Sequence, residues 1–351
     1  MEKRSNWLKN LVLLLSWLYF FVLLVWLLLY LFTGDDNGFL GLFNAFAVYL
    51  FVPLPLVLLV ALGTRNLPLI GGSVIFVAVF FTFWGNLFLP RSLPQDEAMA
   101  LRVMTYNIFG RGRALQPVLD TIALEQADVV FLQEVTFEAA DALQTDFGET
   151  YPYQLMRARA GAGGLGVISK YPLTIQDGSP PGDWGKGVQI LSMDWDGITI
   201  TLINFHFETT NLGRLMRIDE QFREREGNAQ ALADYVTGYL GDQLVIAAGD
   251  ANTVHLSKAY QSITATGLRD AWWEAGSGLG NTFPGSPFPN TNRVSLGRSP
   301  LGSLALPEWL VRIDYIFYSP NWQAVEAHVA DVNGGSDHRG VVTELIIFQE
   351  Q

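Results

Sequence analysis

The chain contains no cysteine. A disulfide framework and a thiolate metal site are therefore excluded, and the redox compartment is left open. Charge is nearly missing from the first 90 residues. They hold only Glu2, Lys3, Arg4, Lys9, Asp35, Asp36 and Arg65 out of 22 basic and 34 acidic side chains. The remainder carries 18 basic and 31 acidic residues, an excess of 13 negative charges. Tight, sequence-independent binding of duplex DNA usually needs a basic face, and this balance argues against it. Histidine is scarce, with four in the chain, so a histidine in a distinctive setting stands out. Neither zinc-type spacing nor an internal repeat occurs after Pro90.

What the first part does have is three apolar runs, at 11–32, 39–62 and 68–89. Each reaches the roughly 20 residues a spanning helix needs. The apolar core of a signal peptide is about 7–15 residues. The first run is longer and has no small-residue cleavage site, so it reads as retained. Lys3, Arg4 and Lys9 precede the first run, the loop at 33–38 has two Asp and no basic residue, and Arg65 lies in the second loop. The positive-inside rule then puts the N-terminus in the cytoplasm and everything after Pro90 outside it. Pro53 and Pro55 predict a kink in the second span. Trp84, near a span end, reads as an interfacial anchor. Asn44 and Asn86 read as helix–helix contacts. With no acidic or basic residue in any span, this part reads as an anchor and not a transport path. The plan is a membrane anchor at 1–90, a polar linker at 91–100 and a catalytic domain at 101–351.

After the linker, strand and helix patterns alternate. Strands are expected at 101–108, 128–133, 153–156, 166–169, 188–193, 198–206, 244–248, 312–318, 327–332 and 341–348. Helices are expected at 114–126, 136–147 and 223–239. Asp196-Gly197 marks a hairpin. Hairpins mixed with helices indicate an α+β class. The stretches 176–186 and 276–306 fit neither pattern, and long loops of this kind are often functional.

The chemistry sits where apolar runs end. Asn107 closes Thr105-Tyr106-Asn107-Ile108, Glu134 follows Leu132-Gln133, and His206 ends a β-rich run. Asp250 and Asn252 lie in Gly249-Asp250-Ala251-Asn252, Asp314 in Arg312-Ile313-Asp314-Tyr315, and Asp337 and His338 in Ser336-Asp337-His338. A single Glu at a strand end, or an Asn in a turn, is ordinary. Such groups at successive strand ends are not. Mg²⁺ prefers oxygen ligands, commonly one or two carboxylates with retained waters. Glu134 and Asp337 are the best pair for that role, with Asn107 as a neutral oxygen. Asp314 can fix the tautomer of His338. Asn252 can donate to a phosphoryl oxygen without adding negative charge. A metal and an imidazolium would stabilise the charge of a pentacovalent phosphorus. His255 and His328 lack such settings and read as structural.

In this order, the motifs resemble the endonuclease/exonuclease/phosphatase superfamily over about residues 101–348. DNase I-like nucleases, sphingomyelinases and inositol-phosphate phosphatases share that fold. Thr282-Phe283-Pro284 fits as well. The resemblance implies a four-layered αββα sandwich and metal-dependent phosphoester hydrolysis. By that likeness, Asn107, Glu134 and Asp337 hold Mg²⁺ or Mn²⁺. Asp250 and His338 activate or align water, Asp314 orients His338, and His206 and Asn252 contact the phosphate. Ala251 departs from the aromatic often found there, which alters packing but removes no ligand. His206 argues against the abasic-site repair branch.

The leading expectation is a membrane-anchored, extracytoplasmic phosphodiesterase or phosphatase acting on a lipid-linked phosphoester, because tethering raises effective concentration at a bilayer. The apolar stretch 301–310 could touch lipid, line a groove or pack on the sandwich. Arg214, Arg217, Arg223 and Arg225 are interleaved with Asp219, Glu220, Glu224 and Glu226, which favours a salt-bridged helix face. Arg225 is the exception expected to bind substrate, since it precedes Asn228 and Gln230. The alternatives are an outward-facing nuclease for short single strands and a catalytically silent membrane-tethered scaffold. Retention of every ligand residue argues against the scaffold.

Overall fold

A computed structural model describes residues 2–89, 99–110, 115–176, 180–241, 243–285 and 307–347. They fall into two compact units, Met1–Leu89 and Pro90–Gln351. The first comprises α1 (Glu2–Thr33), α2 (Gly38–Ala45), a 3-10 turn (Ala47–Phe51), α3 (Leu54–Thr64) and α4 (Leu67–Trp84). Three stretches are long and apolar enough to cross a membrane: Trp7–Thr33, Ala47–Thr64 and Leu67–Leu87. The second expected span is broken rather than merely bent. Pro53 caps α3 and Pro55 sits in its first turn, where a missing N–H costs nothing because those amides lack intrahelical acceptors. Asn44 acts as the expected contact. It accepts from Trp26 Nε1 at 3.1 Å and donates to the Gly34 carbonyl at 2.9 Å, while Asn86 is exposed. Trp84 corrects its expected anchoring role. It is buried, stacked on Trp26 at 6.2 Å and edge-on to Phe51 at 5.4 Å, so its ring fills the interior of the helical unit.

The second unit runs β1 (Ala100–Asn107), α5 (Gln116–Glu125), β2 (Val129–Gln133), α6 (Phe137–Phe147), β3 (Tyr153–Arg157), β4 (Leu165–Ser169) and β5 (Leu173–Ile175). It continues with β6 (Gly187–Trp195), β7 (Ile198–His206), α7 (Ile218–Tyr235), β8 (Val245–Asp250), α8 (Lys258–Thr264) and β9 (Arg269–Asp270). It closes with α9 (Ala271–Ala275), β10 (Asp314–Tyr318), β11 (Trp322–Val329) and β12 (Val341–Ile347). The strands make two six-stranded sheets, ordered β11-β12-β1-β2-β4-β3 and β5-β6-β7-β8-β10-β9.

Alternation along the strands sorts the side chains into layers. Leu101, Val103, Val129, Phe131 and Val167 of the first sheet meet Leu191, Ile200, Leu202, Ile246 and Ile316 of the second in an inner core. The opposite face of the first sheet, with Met104, Val130 and Ile168, packs on Val118 and Ile122 of α5 and Leu143 of α6. The opposite face of the second, with Ile203, Phe205 and Phe317, packs on Leu232 of α7 and Ile263 of α8. The result is the four-layered αββα sandwich.

Local differences have physical causes. Helix α7 starts at Ile218 rather than Arg223, with Asp219 and Glu220 in its first turn, where acids favour the helix dipole. Strand β11 starts at Trp322 rather than Ala327 and carries a bulge between Ala324 and Glu326 that interrupts its alternation. Positions 91–98 of the expected linker, 286–306 of the long loop (with 301–306 of the apolar stretch) and 348 lie outside the described residues.

Candidate functional site

Two parallel pairs lie at the heart of the sandwich: β1 beside β2 in one sheet, and β7 beside β8 in the other. Asn107, Gln133, His206 and Asp250 are the last residues of these four strands. Ligand sites form outside the carboxyl ends of parallel strands for this reason. Strand β10 runs antiparallel to β8 and begins at this same edge, with Asp314 opposite Asp250. Period 2 then sets direction. Asn107 continues the inward row of Leu101 and Val103, and His206 that of Ile200 and Leu202. Asp250 continues Ile246 and Ala248, and Asp314 precedes Ile316 and Tyr318 in the same row. The four polar groups thus top the inner core between the sheets.

Asp250 is the hub. Its Oδ2 accepts from Asn107 Nδ2 at 3.0 Å and lies 3.4 Å from His206 Nε2 and 3.7 Å from His338 Nε2. Its Oδ1 accepts from the Asn252 amide at 2.8 Å. Burial alone would raise its pKa, but His338, His206 and Asn107 outweigh burial and hold it below the usual carboxylate range. His338 Nδ1 meets Asp314 Oδ2 at 2.9 Å, the tautomer-fixing contact expected from the sequence. Burial disfavours its charge, yet Asp314 and Asp250 prevail and raise its pKa to about 10. Asp314 is itself raised, chiefly by burial, with Asp250 adding to the effect. Asn252 sits at φ 50° and spends one amide N–H on the Phe207 carbonyl at 3.1 Å.

Glu134 follows β2 in a left-handed conformation, φ 59°, which is uncommon for a non-glycine residue and concentrates at functional sites. Asp337 Oδ1 is enclosed with no hydrogen-bond partner. Its carboxyl is raised to about 6, by burial first and by Glu134 as well, against the pull of His338. Two acids thus press on one another beside the hub. The loop carrying Asp337 is latched to β1, because Ser336 Oγ donates to the Asn107 carbonyl at 2.7 Å and accepts from the His338 amide at 3.0 Å. Thr282-Phe283-Pro284 braces it too. Phe283 lies 4.9 Å from the His338 ring, and the Thr282 hydroxyl accepts from the Ile313 amide at 3.2 Å.

Asp250, Asp314 and His338 also place their ligand atoms within 4.8 Å of one another. That trio differs from the expected metal set of Asn107, Glu134 and Asp337. His338 Nδ1 is committed to Asp314, so a hydrogen-bonded relay accounts for the trio. The acid left with an enclosed, unpartnered oxygen is Asp337, and Glu134 adds negative charge to its surroundings.

Three groups carried no role in the sequence reading. Lys186 Nζ lies 3.5 Å from His206 Nε2. Gln133 Nε2 donates across the sheets to Asn204 Oδ1 at 2.8 Å, and Asn204 Nδ2 donates to the Leu132 and Gly166 carbonyls at 3.1 and 3.0 Å. Gln133 and Asn204 were detectable as polar residues at inward positions of apolar strands. Lys186 had only its flanking glycines as a signal. Arg225 sits apart from the hub contacts. It is buried, donates to Thr210 Oγ1 and lies over the Phe222 ring at 4.2 Å, so it braces the segment after His206. Arg217 pairs with Glu220, as the interleaved charges suggested. His255 packs against Trp273, and His328 pairs with Glu125.

The endonuclease/exonuclease/phosphatase family model matches residues 104–338. The chain belongs to this family. Relatives in it are hydrolases of phosphoesters, and the family generally depends on a divalent metal. The inositol phosphosphingolipids phospholipase C of Schizosaccharomyces pombe is 26% identical over 271 residues, covering 64% of this chain and 62% of the relative. This chain therefore spans less than two thirds of that relative's length. The endonuclease/exonuclease/phosphatase of Bacteroides vulgatus superposes with a TM-score of 0.52 at 19% identity, over 71% of this chain and 100% of the other. D. rerio TDP2 complexed with single-strand DNA product gives 0.52 at 18% identity, over 71% and 99%. At such identities the two structures share the fold.

Proposed function

We propose that the chain is a membrane-tethered, divalent-metal-dependent phosphodiesterase acting on a lipid phosphodiester outside the cytoplasm. The observation that carries the reading is the inward-facing Asp250 hub with His338 and Asp314, together with Asp337, whose enclosed oxygen has no partner and whose carboxyl feels Glu134. An enclosed, unpartnered Asp337 oxygen beside a second acid suits a hard cation, and oxygen ligands suit Mg²⁺ or Mn²⁺. Glu134, Asp337 and Asn107 Oδ1 would hold it. Bound there, the ion would supply positive charge to the phosphoryl oxygens.

The remaining chemistry belongs to the side chains. Asp250, held ionised by its donors, orients the attacking water and takes its proton as the bond from phosphorus to the leaving oxygen breaks, and that oxygen departs as an alcohol with a proton from the His338 imidazolium. His338, charged at neutral pH and fixed by Asp314, faces the oxygens on which negative charge grows. Lys186, His206 and Asn252 bind the same phosphate. The lipid preference is supported by three candidate spans and by the phosphosphingolipid named for the S. pombe relative. The outward orientation is supported by Lys3, Arg4, Lys9 and Arg65.

The test is hydrolysis by the purified chain, with Mg²⁺ or with a chelator, of single-stranded DNA, an aryl phosphodiester, an aryl monoester and phospholipid vesicles. Glu134→Ala serves as the control. Metal-dependent cleavage of vesicle lipid, abolished in the variant, is expected. Cleavage of DNA alone, or full activity in Glu134→Ala, overturns the reading. A C-terminal reporter active only in the cytoplasm overturns the orientation.

A further inference from the structure

A polar cleft of about 330 Å³ opens beside the hub, walled by the segments around Gly185, Glu208 and α7. Its walls adjoin residues of the reacting centre along the chain. Glu208 lies two residues beyond His206, and Gly185 precedes Lys186. Asn228, fully buried, binds both walls together by accepting from the Glu208 amide at 3.0 Å and donating to the Asp183 carbonyl at 3.1 Å. The fit is close. A Cβ on Gly185 would stand 2.5 Å from Asn228 Oδ1.

The lining carries four carboxylates, Asp183, Glu208, Glu220 and Glu224, against Arg214 and Arg217. Arg217 and Glu220 neutralise one another. Asp183 spends one oxygen on the Gly185 amide at 3.0 Å. Glu208 and Glu224 are half-buried and make no side-chain hydrogen bond or ion pair among the described residues. Arg214 adds an exposed guanidinium to the lining, yet four carboxylates against two guanidinium groups leave the cleft with acceptors and a net negative charge. A ligand that satisfies it brings donors, either hydroxyls or an ammonium. An added phosphate brings only acceptors and like charge. The volume lies at the small end of the range for small-molecule sites, which suits a head group.

We propose that this cleft receives the polar head group of the substrate, and that Glu208 and Glu224 select hydroxyl-rich or ammonium-bearing heads over heads with a further phosphate. The proposal rests on the phosphodiesterase reading above.

The experiment uses the full chain with mixed micelles presenting one ceramide under three heads: inositol phosphate, choline phosphate, and inositol phosphate with a second phosphate. An aryl phosphodiester without a head group runs in parallel. The doubly phosphorylated lipid is expected to have kcat/KM about tenfold or more below the inositol lipid. Glu208→Gln and Glu224→Gln are each expected to raise KM for the inositol or choline lipid about tenfold relative to the aryl diester, the scale of one hydrogen bond to a charged group. Glu224→Lys should narrow the discrimination against the second phosphate. Loss confined to the choline lipid would identify the ammonium as the recognised donor, and loss on the inositol lipid the hydroxyls. Equal or better cleavage of the doubly phosphorylated lipid overturns the proposal, as does a proportional loss on all substrates, the aryl diester included. Absence of turnover on every substrate defeats the hydrolase reading instead. Calorimetry then decides the cleft separately, because tighter binding of inositol bisphosphate than of inositol monophosphate overturns it.

Discussion

At the residue scale, the hub depends on a position with no side chain. Gly249 lies opposite Phe205 in the parallel pairing of β7 and β8, one residue before the His206–Asp250 pair. A Cβ there would stand 1.9 Å from the Phe205 carbonyl oxygen, a backbone atom that cannot swing aside. Gly249→Ala must therefore push β7 and β8 apart where Asp250 needs His206 at 3.4 Å. Overpacking a tight interior costs about 1–3 kcal/mol, occasionally more. Thermal unfolding of the variant is expected to fall accordingly, and hydrolysis to fall further than stability explains. A variant with native stability and activity would show that the strands are looser than this contact implies.

At the element scale, the two sheets are joined under the site by Thr105, Gln133 and Asn204, all fully buried. Gln133 immediately precedes Glu134, so the clamp fixes the strand end that carries the candidate metal ligand. Asn204→Leu would remove the donor to the Leu132 and Gly166 carbonyls and the cross-sheet acceptor of Gln133 Nε2, which would keep Thr105 Oγ1 at 3.2 Å, and losing a buried polar partner costs about 1–3 kcal/mol. Beyond lower stability, the Mg²⁺ concentration for half-maximal activity should rise about tenfold, as when groups orienting a ligand are lost. A lower melting point with an unchanged Mg²⁺ response would confine the clamp to stability. A second join, between β11 and α5, titrates. His328 Nε2 meets Glu125 Oε2 at 2.8 Å, and Nδ1 meets Glu326 Oε1 at 3.1 Å. The hydrogen bond to Glu125 raises its pKa above the usual value, with both acids adding charge and burial and Arg102 opposing. A raised folded pKa contributes stability below about pH 6.5 that is lost as pH climbs through the folded value. The melting-point gap between the protein and His328→Gln should be present at pH 6 and close by pH 9, and a constant gap would assign it to packing. These elements also mark how far the sequence could be read. Strands whose inward rows ended in Asn107, His206, Asp250 and Asp314 were legible, because period 2 and a terminal polar group coincide. The short α8 and α9 have too few turns for a pattern. Trp84 was misread because a ring near a span end has the same sequence signal whether it faces lipid or the bundle. Lys186 and the cleft are made by segments distant in sequence, which pairing alone brings together.

At the scale of the whole molecule, the chain joins an apolar unit to a sandwich with cores of its own, between its sheets and on both outer faces. Every candidate catalytic group lies in the second unit, so the chemistry on a soluble substrate should not need the first. A tether works through concentration. It keeps the sandwich within reach of one surface, so that meeting a lipid in that surface becomes an intramolecular encounter, with gains of about 10²–10⁴ where geometry permits. The sandwich is acidic by 13 charges beyond Pro90, so an anionic bilayer would repel it once released. A chain beginning at Met99 should therefore hydrolyse an aryl phosphodiester at the rate of the full chain, yet lose most activity on lipid in anionic vesicles. Adding salt should recover part of that loss, since screening weakens repulsion between surface charges. Equal activity of both chains on vesicle lipid would mean that the sandwich binds bilayers unaided, and the three spans would then need another purpose.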